Sequence, residues 1–163
     1  MSYSFKIWID ADSCPKEVRN FIIDYAKLKD LTVYFVANRD ISHPKNDSRF
    51  SMIICEKTEG STDNYILSNA TTKDIVITRD IPFAEKLTQL QITVMNDRGF
   101  LFTKDNIKEK LSERNFNLNL SFLGLNEGKK NSYGQKEYKK FTDTFDRIIS
   151  QMIVNEIYSK KSN

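Results

Sequence analysis

Apolar positions along the 163-residue chain follow two alternating periods. Short runs at Lys6–Asp10, Leu31–Ala37, Phe50–Cys55, Asp74–Thr78 and Gln91–Met95 have the length of buried strands. Between the first two, Val18, Phe21, Ile22, Tyr25 and Leu28 recur at helical spacing over Pro15–Lys29. Further helices are predicted behind Ser61 or Thr62, either of which can cap, and from Pro82 through Leu90. Such alternation predicts an α/β fold, a three-layer α/β/α sandwich on a mainly parallel five-stranded sheet. Beyond Gly99 the pattern turns helical. Thr103 is placed to cap a helix to about Arg114, Ser112–Leu123 supplies a second short piece, and Asn126–Gly134 reads as a loop. From Gln135 to about Ser159, Tyr138, Phe141, Phe145, Ile148, Ile149, Met152, Ile153 and Ile157 mark a long amphipathic helix. The expected organisation is one domain over 1–163, with an α/β core in 1–99 and a helical extension in 100–163 packed on it. The long stripe reads most simply as core-facing, with part of it available to a homodimer.

Two of the strand runs end alike. Lys6-Ile7-Trp8-Ile9 runs into Asp10-Ala11-Asp12-Ser13-Cys14-Pro15, and Asp74-Ile75-Val76-Ile77-Thr78 into Arg79-Asp80-Ile81-Pro82. Ligands of open α/β sheets gather at the carboxyl ends of strands, so Asp10, Asp12 and Asp80 stand where a site is expected. Two carboxylates about 4 Å apart repel by roughly 4 kcal/mol at an effective dielectric of about 20, which a cation or a shared proton relieves. The plainer alternative is that Asp12 or Ser13 caps the following helix while Asp10 is solvated. Asp63, behind Ser61-Thr62, is open to the same two readings: first-turn complement to the helix dipole, or metal ligand.

Composition narrows the chemistry. A content of 39% hydrophobic and 29% charged residues describes a globular protein. No apolar run reaches the length of a membrane span and no basic-then-apolar leader is visible, so a cytoplasmic protein with no membrane partner is expected. The single histidine, His43, stands before Pro44 in a polar loop and reads as solvated, which leaves His-rich zinc sites without ligands. Cys14 and Cys55 are far apart in sequence, and a disulfide is not expected. Cys14 reads as a half-buried thiol at a helix start, a position that lowers a thiol's pKa. Residues 1–96 carry 12 basic and 13 acidic side chains, and residues 97–163 carry 13 and 9. Lys129, Lys130, Lys136, Lys139 and Lys140 crowd the stretch before and into the last helix, where they can meet phosphates or simply solvate a loop.

The ordered blocks Trp8–Pro15, Ala37-Asn38, Ser61–Asn64, Asp74–Ala84 and Arg98-Gly99 resemble the YaiI/YqxD family of uncharacterised bacterial proteins, whose fold is related to the PIN nuclease domain. The resemblance runs from about Lys6 into the last helix. It departs before that helix, where a Gly-Pro-type loop is usual and this chain reads Asn126-Glu127-Gly128-Lys129-Lys130-Asn131. PIN-like nucleases gather three or four acidic residues to hold one or two Mg2+ or Mn2+ ions. By position the resemblance implies Asp10, Asp63 and Asp80 as that set, with Asp12 as an addition. Thr78 and Ser61 are then candidates to hydrogen-bond the ligands, and Asn38, Arg79 or Arg98 to contact phosphate. The implied activity is metal-dependent hydrolysis of phosphodiesters, RNA above all.

Two alternatives stand beside it. Asp10-x-Asp12 also opens haloacid-dehalogenase-like phosphatases, but no lysine of the kind they need stands out. A PIN-like scaffold that binds RNA or a protein without catalysis is the other. The chain lacks a Gly-rich phosphate loop or dinucleotide fingerprint, which argues against nucleotide-cofactor enzymes.

Overall fold

The computed structural model describes residues 2–125 and 132–163, so the Asn126–Asn131 segment with Lys129 and Lys130 lies outside the described residues. In chain order the elements are β1 (Lys6–Asp10), α1 (Lys16–Lys29), β2 (Thr32–Ala37), β3 (Phe50–Ile54), α2 (Ser61–Asn69), β4 (Ile75–Ile77), α3 (Ile81–Gln89), β5 (Thr93–Met95), β6 (Leu101–Phe102), α4 (Ile107–Phe122) and α5 (Gln135–Lys161). The strands form one sheet in the order β3-β2-β1-β4-β5-β6, parallel except at the last pair. After β1 the chain builds outward to β3, then returns to the other side of β1 for β4. The neighbours β1 and β4 therefore flank the point where the winding reverses, and a crevice opens there at the carboxyl ends of the strands.

Side chains of successive strand residues point to opposite faces, and each face has its own core. Ile7, Ile9, Val33, Phe35, Ala37, Ile75 and Ile77 pack with Val18, Ile22 and Tyr25 of α1 and with Phe141, Phe145 and Ile149 of α5. Trp8, Val36, Val76 and Val94 pack on the opposite face with Ile66 of α2, Phe83 and Leu87 of α3 and Ile107 of α4. Covering on both faces is why these strands read as continuous apolar runs. Asp74 is 2% exposed just ahead of β4 and belongs to the frame. Its carboxylate accepts from the Lys6 N–H (2.8 Å), the Thr71 N–H (2.9 Å) and the Trp8 indole (3.0 Å), which compensates its burial.

Several expectations are corrected. The sheet has six strands: Asn96 Oδ1 accepts the N–H groups of Arg98 and Phe100, the chain reverses, and Leu101–Phe102 pairs antiparallel with β5. Gly99 makes that reversal possible, with φ +79° and a backbone so close to α5 that a Cβ would lie 2.4 Å from the Lys140 carbonyl oxygen. The two short helical pieces after Thr103 are one helix, α4, and Thr103 does close its start: its hydroxyl accepts the Asn106 N–H at 3.2 Å while Asn106 Oδ1 accepts the Thr103 N–H at 2.8 Å. Gly60, at φ +77°, holds the N-cap position of α2 in place of Ser61 or Thr62. Pro15 takes that position in α1, so neither Asp12 nor Ser13 caps it. Leu28 is 79% exposed, because the buried stripe of α1 ends at Tyr25 and Ala26. His43 is not solvated: its side chain is 13% exposed, with Nδ1 2.6 Å from the Ile41 carbonyl oxygen and the ring beside Phe35. Burial and the nearby Asp97 carboxylate push the Cys14 thiol well above its ordinary range, opposite to the lowering expected of a helix start.

The stripe of α5 faces the core from Phe141 to Ile153, whereas Ile157 is exposed. Phe21 and Tyr25 of α1 meet Phe145 edge-on, and the Tyr25 hydroxyl donates to Asp146 at 2.7 Å. Among the described residues no helix is long and apolar enough to cross a membrane.

Candidate acidic site at the sheet switch point

Strand register assembles the site. Ile9 of β1 pairs with Ile77 of β4, which brings Asp10 level with Thr78. The Thr78 hydroxyl donates to Asp10 Oδ2 at 2.9 Å and accepts the Asp80 N–H at 3.1 Å, so one buried hydroxyl ties the two strand ends together. On the other side Asp10 pairs with Val36 of β2, which brings Asp12 level with Asn38. The Asn38 N–H donates to Asp12 Oδ2 at 3.0 Å, and Arg39 Nε lies 3.9 Å from the other oxygen. Asp80 is the N-cap of α3 and accepts the Phe83 N–H at 3.0 Å, with Pro82 in the first turn as the strand-carboxylate-proline pattern implies. Asp63 enters from the first turn of α2.

These residues line one cleft of about 650 Å³, together with Ser13, Asn38, Lys57, Glu59, Ser61, Arg79 and Arg114. Its electrostatics are set first by burial and then by the proximity of like charges. Asp10 is 8% exposed, and burial, added to by the charges of Asp12 and Asp80, pushes its carboxyl from 3.8 up to about 6, although the Thr78 hydrogen bond acts the other way. Asp63 is pushed up to about 6 first by burial, then by Asp80 and Asp10, with Lys86 opposing. Among the described residues Asp63 accepts no hydrogen bond and makes no ion pair. Three carboxylates from three elements thus feel one another across the cleft.

The other predicted residues are placed differently. Ser61 lines the cleft, but its hydroxyl donates to the Glu56 carbonyl. Arg79 also lines it, held by its Nε and Nη2 bonds to Asp97 Oδ2 at 2.8 and 2.6 Å. Arg98 does not line this cleft: it faces a neighbouring one, 3.8 Å from Glu137 and over the Tyr133 ring. Asp97, 2% exposed, is not among the residues that the sequence pattern singles out. Its second oxygen is buried without a hydrogen-bond partner among the described residues, and its backbone carbonyl accepts the Tyr133 hydroxyl at 2.7 Å. The available signal is that a carboxylate stands two residues after β5, much as Asp10 ends β1 and Asp80 stands three residues after β4. Lys57, Glu59 and Arg114 were missed too, and no local motif announces them.

The donor chemistry suits a hard cation, since carboxylate oxygens prefer such ions. No group of three or more His, Cys, Asp or Glu among the described residues converges tightly enough to enclose a metal.

The pattern of the YaiI/YqxD family, described as uncharacterized, matches residues 8–151. The chain belongs to this family. Similar proteins, each called a UPF0178 protein, include one from Treponema denticola, 43% identical over 148 residues covering 91% of this chain and 94% of the relative. One from Syntrophobacter fumaroxidans is 38% identical across 90% of this chain and 95% of its own. That of Treponema pallidum is 34% identical across 90% and 82%. No solved structure gives a significant match.

Proposed function

We propose that this protein is a Mg2+- or Mn2+-dependent phosphodiester hydrolase acting on RNA, a PIN-like ribonuclease. The observation that carries the reading is the Asp10, Asp63 and Asp80 cluster at the switch point, whose burial and mutual repulsion raise the carboxyl pKa of Asp10 and Asp63 to about 6. Buried like charge of this kind is stabilised by a cation and is characteristic of functional sites. Asp10, Asp12, Asp63 and Asp80 would surround the ion, one or two of them binding it directly and the others through the waters it keeps. When bound, the ion supplies a water of lowered pKa and charge stabilisation for the phosphate. Thr78 orients Asp10 through the hydroxyl it donates, and the same hydroxyl fixes the backbone of Asp80. Lys57 and Arg79 line the same cleft and are the cations available to non-bridging oxygens of the phosphate being cleaved, with Arg114 at its border. Arg79 is the best oriented of these, because Asp97 anchors its guanidinium.

The test is hydrolysis of a labelled single-stranded RNA and of the small diester bis(p-nitrophenyl) phosphate with Mn2+, comparing wild type with Asp10→Asn/Asp80→Asn. Asparagine retains the helix cap at position 80, so the double variant folds. Loss of metal-dependent turnover is expected, and cleavage at the wild-type rate would sink the reading. RNA binding that survives both the double substitution and chelation, with no hydrolysis of either substrate, would favour a non-catalytic binding module.

A further inference from the structure

A second cleft, of about 560 Å³, adjoins the acidic one, and Arg79, Ile81 and Arg114 line both. Each volume falls within the roughly 300–1,000 Å³ of ordinary ligand sites. Their charges are opposite in sense. The acidic cleft has five carboxylates against three cations, whereas the second has five cations, Arg79, Arg98, Lys110, Arg114 and Lys140, against two carboxylates. Both of those carboxylates are already engaged, Asp97 by Arg79 at 2.6 Å and Glu113 by Lys110 at 3.2 Å. Arg114 and Lys140 have no hydrogen bond or ion pair among the described residues. They come from α4 and α5, and the backbone of α5 at Lys140 lies against Gly99.

We infer that this second cleft is a backbone subsite for a single-stranded polynucleotide whose scissile phosphate lies in the acidic cleft, an inference that rests on the hydrolase reading above. Arg79, Lys110 and Arg98 are paired with Asp97, Glu113 and Glu137, whereas the charges of Arg114 and Lys140 are left for an anionic ligand to meet. The shared border at Arg79 and Arg114 makes the two clefts one track, so the matching ligand carries phosphates in series. A duplex presents its phosphates on a rod far wider than a cleft of this volume, and a single strand fits. Arg114, on the border, meets the phosphate next to the one being cleaved. Lys140 meets one further along.

The test is binding of a fluorescently labelled RNA dodecamer by anisotropy, in chelator so that nothing is cleaved, across a salt series. In Lys140→Ala and Arg114→Ala, affinity at about 0.1 M salt should fall about three- to tenfold, and the slope of log affinity against log salt should drop by about one for each lost phosphate contact. Lys140→Arg should restore both. In Mn2+, Lys140→Ala should also lower kcat/KM for the dodecamer relative to that for bis(p-nitrophenyl) phosphate, which is too short to reach the second cleft. Wild-type affinity and salt slope in both alanine variants, alongside intact hydrolysis of the small diester, would overturn the subsite and leave the hydrolase standing. Weakened RNA binding in both variants, with neither substrate hydrolysed by wild type, would support the strand-binding surface while refuting the hydrolase. A wild-type protein that does not bind the dodecamer overturns the inference outright.

Discussion

Replacing Asp10 by asparagine should stabilise the metal-free protein at neutral pH. Asp10 ionises at about 6 in the folded chain against 3.8 ordinarily, so the folded state holds its proton more tightly than the unfolded state. A group raised in this way contributes stability below about pH 4 that is lost as pH climbs through 6. A tenfold difference in proton affinity between the two states corresponds to about 1.4 kcal/mol, so the ionised carboxylate costs the native state about 3 kcal/mol at pH 7. Asparagine keeps an oxygen for the Thr78 hydroxyl but adds an amide that needs a partner of its own, which brings the expected gain down to about 1–2 kcal/mol. For a chain of this size each kcal/mol moves the melting temperature by about 2–4 °C. Urea titrations in chelator at pH 4 and pH 7 measure it directly. Wild type should lose stability between the two, whereas Asp10→Asn should lose less and surpass wild type at pH 7. Removing the Asp10 charge also relieves Asp63. A variant less stable than wild type at pH 7, or one with the same decline from pH 4 to 7, would refute the argument that repulsion is concentrated here.

Other substitutions test the frame. Gly99→Ala combines a positive φ with a 2.4 Å approach to the Lys140 carbonyl, and calorimetry should show a loss of at least about 2 kcal/mol. Asp74→Ala strands three N–H donors around a buried position and should cost about 3 kcal/mol in urea titration. Asp97→Ala removes the carboxylate that holds Arg79; a loss of about 2 kcal/mol is expected because Arg79 is partly solvated, and hydrolysis should fall through a higher KM. Adding Mn2+ should raise the melting temperature of wild type, but not that of Asp10→Asn/Asp80→Asn, as thermal scans with and without the ion will show.

The sheet is legible in the sequence wherever burial on both faces leaves an apolar run long enough to stand out, as in β1 and β2. It is illegible at β6, two residues long and defined by a turn rather than by its own pattern. Asp10 and Asp80 are legible because strand, carboxylate and proline fall together in the chain. Their meeting is not written locally, since it depends on β4 docking against β1 in one register. Arg114 shows the limit most clearly. On α4 it is one basic residue among several polar ones, and only the packing of α4 on α3 brings it to the border of both clefts. His43 and Leu28 mislead for a related reason: whether a loop histidine is enclosed, or the last residue of a helical stripe is covered, is decided by distant elements.

The chain holds two kinds of buried carboxylate, and the contrast bears on what the acidic cleft is for. Asp74 accepts three hydrogen bonds from nitrogen donors, and Asp97 accepts two guanidinium N–H groups at one oxygen. Asp74 is compensated by groups of the protein itself, as carboxylates kept for structure are, and Asp97 is so at one of its two oxygens. Asp10 has one hydroxyl donor and Asp63 has none among the described residues, yet both are held near Asp80. Neither local capping nor packing requires that proximity: Asp80 satisfies its helix cap alone, and Asp10 caps nothing. A sheet that places repelling carboxylates at its switch point loses stability for as long as the cleft holds only water. On the hydrolase reading proposed above, a cation entering the cleft would recover that loss, so the metal-dependent rise in melting temperature and the stabilisation by Asp10→Asn should trace to the same carboxylates.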